Sequence, residues 1–215
     1  MRKICPRCGA NSDKKRFIGL FCEDCYAERL DVGIKSRVMV EVCRKCGRMR
    51  LGKDWVPPTR SNLERLLRRA VEGKYENIRF VVPQSGEGES QAVFLVRAGD
   101  DFVEAVRQFN ISRHQTICED DSRASAGYFE AVVQIRCSDP GKSRRIAERI
   151  KSEVSHKSFV SRFEEHRRGF DIYIGSNRAA MEALKRLGLR AERSATLHGV
   201  KEGQRVYRIT YCVRD

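Results

Sequence analysis

Six of the nine cysteines in this 215-residue chain stand in three C-x-x-C pairs before residue 47. They read Cys5-Pro6-Arg7-Cys8-Gly9, Cys22-Glu23-Asp24-Cys25 and Cys43-Arg44-Lys45-Cys46-Gly47. A two-residue gap lets both thiolates of a tight knuckle reach one metal ion, and the glycine after the second cysteine supplies the turn. Thirteen residues separate Cys8 from Cys22, a distance over which two such pairs close on one tetrahedral zinc ion. Disulfides need a secretory route, and Met1-Arg2-Lys3-Ile4-Cys5 lacks the apolar run of a signal segment. A redox pair would be one C-x-x-C in a βαβ setting, not three in succession. The spacing therefore predicts structural zinc held by Cys5, Cys8, Cys22 and Cys25. Four sulfurs leave no open coordination position, so such a site staples a segment too short to fold on its own core.

The third pair needs partners from further away. The next cysteine lies in Thr116-Ile117-Cys118-Glu119-Asp120-Asp121, where Asp121 takes the place of the second cysteine of a pair. Aspartate oxygen is an acceptable zinc ligand, so the expected second set is Cys43, Cys46, Cys118 and Asp121. A carboxylate beside three sulfurs suits zinc less well than a fourth thiolate, which makes this the weaker site. His114 is a rival fourth ligand, and a site that has lost its metal, with Asp121 facing water, is the alternative. Cys137 and Cys212 lie in strand-like sequence and read as buried thiols.

Charge points to a partner. The chain carries 43 Lys+Arg against 29 Asp+Glu, a net of +14, with a pI near 9.6. The excess is uneven: +8 over residues 1–60, −3 over 61–130 and +9 over 131–215. Two basic blocks around a mildly acidic middle suggest two docking surfaces for a polyanion. Arginine outnumbers lysine 31 to 12, and guanidinium forks match phosphate, which favours RNA. The candidate RNA contacts are Arg7, Arg44, Lys45 and Arg48 around the knuckles, with Lys142, Arg144, Arg145 and Arg149 further on. No run approaches the roughly 18 apolar residues of a membrane span. A soluble protein of a reducing, cytoplasmic compartment is the expectation.

Catalytic motifs fail on inspection. Gly141-Lys142-Ser143 ends like a P-loop, but Arg136 stands where that motif needs glycine. The four histidines include no H-E-x-x-H, and no serine lies in G-x-S-x-G. Neither an enzyme nor a small-molecule substrate is expected.

Patterning gives an α+β chain in three parts: a zinc-knuckle module (1–60), a middle α/β segment completing it (61–130) and a basic α/β domain (131–215). Ser61 and Glu64 form a capping box opening a helix that turns Leu63, Leu66, Leu67, Ala70 and Val71 inward. Strands at 78–82 and 92–96 flank a Gly-rich loop. Residues 100–109 read as a short helix with Phe102, Val103, Val106 and Phe109 inward. The last part reads β-α-β-β-α-β-β: Asp139-Pro140 opens one helix, Ser176 caps the other, and Gly188 stops it. Phe170, Tyr207 and Tyr211 are assigned to the core, with base stacking the alternative.

The ordered knuckles followed by Trp55-Val56 resemble the Nmd-three family, adaptors of the large ribosomal subunit. Phe129-Glu130-Ala131-Val132-Val133-Gln134-Ile135-Arg136, Asp171-Ile172-Tyr173-Ile174-Gly175-Ser176 and Arg205-Val206-Tyr207-Arg208-Ile209-Thr210 are similar to later landmarks of that family. The resemblance implies a ribosomal-protein-like α/β domain at 131–215. It also implies a non-enzymatic role in large-subunit biogenesis or occupancy, with rRNA and ribosomal proteins as partners. The compact length is similar to the archaeal form. The family carries cysteine where this chain has Asp121, and its longer members add a domain like translation factor five A. The competing reading is a zinc-ribbon transcription or RNA-processing factor that binds nucleic acid.

Overall fold

The computed structural model describes residues 2–215, at Lys201 by its backbone alone. The chain is a mixed α+β protein of two compact units, Met1–Thr116 and Ile117–Asp215. The knuckles and the segment after them share the first unit, because they share one core. Ile18, Ala27, Val38 and Met49 pack in one cluster with Leu67, Phe94, Val103 and Ile111.

The first unit begins with a small hairpin, β1 (Phe17–Ile18) and β2 (Phe21–Cys22), and helix α1 (Glu23–Arg29). Strand β3 (Val32–Ile34) pairs with β7 (Val71–Gly73). The main sheet is built from β4 (Arg37–Cys43), β5 (Met49–Leu51), β6 (Asp54–Val56), β8 (Asn77–Val81), β9 (Gly88–Ala98) and β10 (Asp101–Thr116). Their order is β6-β5-β4-β10-β9-β8, antiparallel except for the β4–β10 pair. Helix α2 (Arg60–Arg68) follows β6.

Two expectations are corrected here. Residues 100–109 belong to strand β10, not to a helix. Val103, Ala105, Phe109 and Ile111 are buried while Phe102 and Val106 stay about half exposed, a period of two. Pairing with β9 along Asp101–Ile111 decides between the two periods, since short apolar runs fit either. The α2 cap is Thr59, whose Oγ1 accepts from Asn62 N at 3.3 Å, rather than Ser61. The helix starts two residues earlier because Thr59 is the first residue past Pro57-Pro58 with a hydroxyl to offer, and it ends at Arg68, so Val71 belongs to β7 and not to the helix.

The second unit starts with α3 (Glu119–Ser125) and continues through β11 (Ala131–Arg136), α4 (Pro140–Ser155), β12 (Val160–His166), β13 (Gly169–Ile174), α5 (Asn177–Arg186), β14 (Glu192–Lys201) and β15 (Gln204–Arg214). After α3 this is the β-α-β-β-α-β-β order read from the sequence. The sheet order is β12-β13-β11-β15-β14, with β11 and β15 parallel. Asp139 caps α4 with Pro140 at its first position, and Ser176 caps α5. Both helices cover one face: Ala147, Ile150, Val154, Ala180 and Leu184 meet Val133, Ile135, Ile172, Ile174 and Ile209. The other face presents the alternate residues, among them Gln134, Arg136, Asp171, Tyr173, Cys212 and Arg214.

Phe170 and Tyr211 are core as expected, but Tyr207 is 45% exposed, because it lies on the part of the β14–β15 hairpin that runs beyond the helices. Cys137 and Cys212 are half-buried rather than buried. Cys137 follows the end of β11, and Cys212 sits on the face without helices.

Candidate metal centres

Local backbone geometry explains why each C-x-x-C presents two sulfurs. In the first knuckle Cys5 N donates to Ala10 O (2.7 Å) and Gly9 N to Cys5 O (2.9 Å). Gly9 closes this turn at φ +73, a conformation costly for a side chain. The third pair repeats the pattern: Cys43 N donates to Arg48 O (2.8 Å), Gly47 N to Cys43 O (2.9 Å), and Gly47 has φ +71.

The middle pair is built differently. Cys22 is the N-cap of α1, with φ −65 and ψ 156, and Cys25 sits on the first helical turn. Cys118 is the N-cap of α3, with φ −71 and ψ 159, and Asp121 stands three residues on, at the position Cys25 takes in α1. The chain therefore uses the same two half-sites twice, a knuckle and a helix start. The sequence spacing showed the pairs but not this division, which depends on where the helices begin.

In the first centre the four Sγ atoms of Cys5, Cys8, Cys22 and Cys25 lie within 4.8 Å of one another, with Cys8 and Cys22 3.4 Å apart. Zinc–sulfur bonds of about 2.3 Å in a tetrahedron set sulfurs about 3.8 Å apart, so the donor set fits zinc. Cys5, Cys22 and Cys25 are buried and Cys8 is exposed. Burial opposes ionisation of Cys5, but backbone N–H groups of Cys22, Cys8 and Arg7 outweigh it and bring that thiol to about 6. Burial and the neighbouring thiols of Cys8, Cys22 and Cys5 push Cys25 up to about 12. Four thiols crowded this closely cannot all ionise without a cation among them. None of the nine cysteines is in a disulfide.

The centre is bolted to the first sheet by a residue that sequence reasoning missed. Arg107 of β10 donates from Nε to Val32 O (3.0 Å) and from one terminal nitrogen to Ala27 O (3.0 Å) and Leu30 O (3.1 Å). It thereby satisfies carbonyls where α1 ends. Its only sequence signal is a charge at an inward position of a period-two strand.

For the second set, the third knuckle holds Cys43 buried and Cys46 exposed. Cys43 lies opposite Thr116 in the β4–β10 ladder, and Arg44 N donates to Thr116 O (2.9 Å). Cys118 follows two residues later. Its Sγ accepts from Asp121 N (3.4 Å) and lies 3.0 Å from Asp121 Oδ2. Glu164, His166 and Asp171 form a further group of donors within the second unit. Those carboxylates already meet Arg162, Tyr173, Arg136 and Gln134, so the group is an ion-pair network.

The candidate RNA contacts are mostly engaged. Arg7 pairs with Glu28 (2.7 Å), Lys142 with Asp215 (2.5 Å), Arg144 with Glu165 (2.8 Å) and Arg145 with Asp139 (3.9 Å). Arg44 and Arg149 are exposed, Lys45 is exposed on its knuckle, and Arg48 is half-buried. These are surface pairs, cheap to exchange for phosphate.

A family profile described as "NMD3, N-terminal domain" matches residues 5–126, and one described as "NMD3, second domain" matches residues 128–214. The chain belongs to the NMD3 family. No curated protein matches it. The boundary between the two NMD3 matches falls between α3 and β11, so the N-terminal domain of the family takes in both half-sites of each metal set.

Proposed function

We propose that this chain is a non-enzymatic adaptor of the large ribosomal subunit, a biogenesis factor that contacts rRNA. The observation that carries this reading is the match of both NMD3 domains along the chain, on a protein of net charge +14. Two zinc ions complete it. The first is held by Cys5, Cys8, Cys22 and Cys25. The second is held by Cys43, Cys46, Cys118 and Asp121, three thiols and a carboxylate whose chemistry suits zinc. What supports the second is the repetition of the knuckle and the helix start, and the position of Cys118 just past the strand paired to Cys43. Zinc here supplies shape, not chemistry, since four protein donors leave no place for a substrate. The fixed knuckles then present Arg7, Arg44, Lys45 and Arg48 to phosphates with little ordering cost, and the α4 residues Lys142, Arg144, Arg145 and Arg149 form a second anchor. An archaeal, cytoplasmic protein fits this reading. Among the described residues no helix is long and apolar enough to cross a membrane.

Sucrose-gradient sedimentation with purified subunits tests the proposal. The chain is expected to travel with free large subunits and not with small ones, in a salt-sensitive manner. Equal recovery with both, or with neither, overturns it. Binding to free nucleic acid as tight as to subunits would instead support the zinc-ribbon transcription or processing factor.

A further inference from the structure

The face of the second sheet without helices ends in a cationic basin. A cleft of about 770 Å³ opens where β11 and β15 finish beside the β12–β13 turn. Gln134 and Cys212 line its floor, and Arg136, Arg167, Arg168 and Arg214 line its walls. Arg136 is held in place: one terminal nitrogen donates to Ile135 O and Phe170 O, the other to Asp171 Oδ1. Arg214 meets Glu192 at 3.5 Å, and Asp215 at the rim is neutralised by Lys142. Arg167 and Arg168 are exposed and have no ion-pair partner among the described residues. They form a two-residue turn between His166 and Gly169, which face each other in the ladder. Gly169 pins that turn. It has φ +127, and a Cβ there would lie 1.9 Å from Ile135 O, so the turn backbone rests directly on β11.

We infer that this basin is an RNA-backbone site, with Arg167 and Arg168 as phosphate anchors and Gln134 placed to meet ribose hydroxyls. This rests on the reading of the chain as a ribosome-binding adaptor and names a contact surface that the α4 residues alone do not make. The pinned turn adds little backbone ordering cost when its uncompensated guanidinium groups fork onto phosphate. The cleft is lined by no aliphatic or aromatic side chain, so an acidic peptide would lack the large buried anchor that protein interfaces use.

The test uses the full zinc-loaded chain with two probes, purified large ribosomal subunits and rRNA phenol-extracted from them. An Arg167→Glu/Arg168→Glu variant should keep the parent's melting profile, since both side chains stand in solvent. It is expected to bind each probe at least tenfold more weakly. Its plot of log affinity against log salt should be shallower by about 1.5, the loss of two phosphate contacts. An Arg167→Lys/Arg168→Lys variant should keep the parent's slope. Should the parent bind neither probe, the adaptor reading itself falls. If the parent binds and the Glu variant matches it in affinity and slope, the basin alone is overturned. Weaker binding to subunits with unchanged binding to naked rRNA would make the ligand a ribosomal protein, which also overturns the RNA assignment.

Discussion

Glu182 of α5 shows how single charged residues tie the second unit together. Its Oε2 accepts from Lys157 Nζ (2.6 Å) and its Oε1 from Arg178 Nε (3.0 Å). The Lys157 hydrogen bond, then the Arg178 one, holds this carboxyl below its ordinary 4.5. A depressed native value means the unfolded chain takes up a proton first as pH falls. The stabilisation is therefore complete above the ordinary value and lost as pH drops through the native one. Glu182→Gln should melt earlier than the parent at pH 7, and the two should converge as pH falls below the ordinary value and through the lowered native one. A gap of constant size across that range would show that the pair carries none of the acid sensitivity.

At the scale of elements, Arg107 joins helix to sheet. It lies on the inward side of β10 among Val103, Ala105, Phe109 and Ile111, and its guanidinium serves the carbonyls of Ala27 and Leu30 at the end of α1 and of Val32 on β3. Arg107→Ala takes a donor from each of these carbonyls, of which Ala27 O keeps the Leu30 N–H, at a cost of about 1–3 kcal/mol for a buried group left unmet. Denaturant unfolding should show that loss, and amide exchange should rise in α1 before it rises in β8–β10. The Arg107 contacts also explain why residues 100–109 had to be a strand. Only a period of two puts Val103, Ala105, Arg107 and Phe109 on one side.

For the molecule as a whole, the metals should decide which regions hold together. Metal analysis with X-ray absorption is expected to find two zinc ions per chain, averaging between three and four sulfurs each. Chelation should raise amide exchange around the knuckles and α1, while β11, β13 and β15 stay protected by a core that contains no ligand. A single zinc with four sulfurs, together with an Asp121→Ala variant that behaves like the parent, would remove the second centre.

The sequence alone determined what local covalent spacing controls. Cysteine gaps selected the first ligand set, since two-residue gaps act within one turn of chain. Capping and stop residues marked the two helices of the β-α-β-β-α-β-β order, because Asp139-Pro140, Ser176 and Gly188 act on their own helix ends. Only the tertiary structure decided matters that rest on neighbours distant in sequence. Strand pairing with β9 settled the ambiguous run 101–111, and the extent of the helix layer left Tyr207 in solvent while Tyr211 was buried. The arginines tell the same story. The sequence counted them, but their partners come from other strands, so the fold alone showed Arg144 engaged with Glu165 and Arg167 and Arg168 left open beside Arg136. Side-chain charge is written in the chain, whereas its compensation depends on which residues folding brings within a few ångströms.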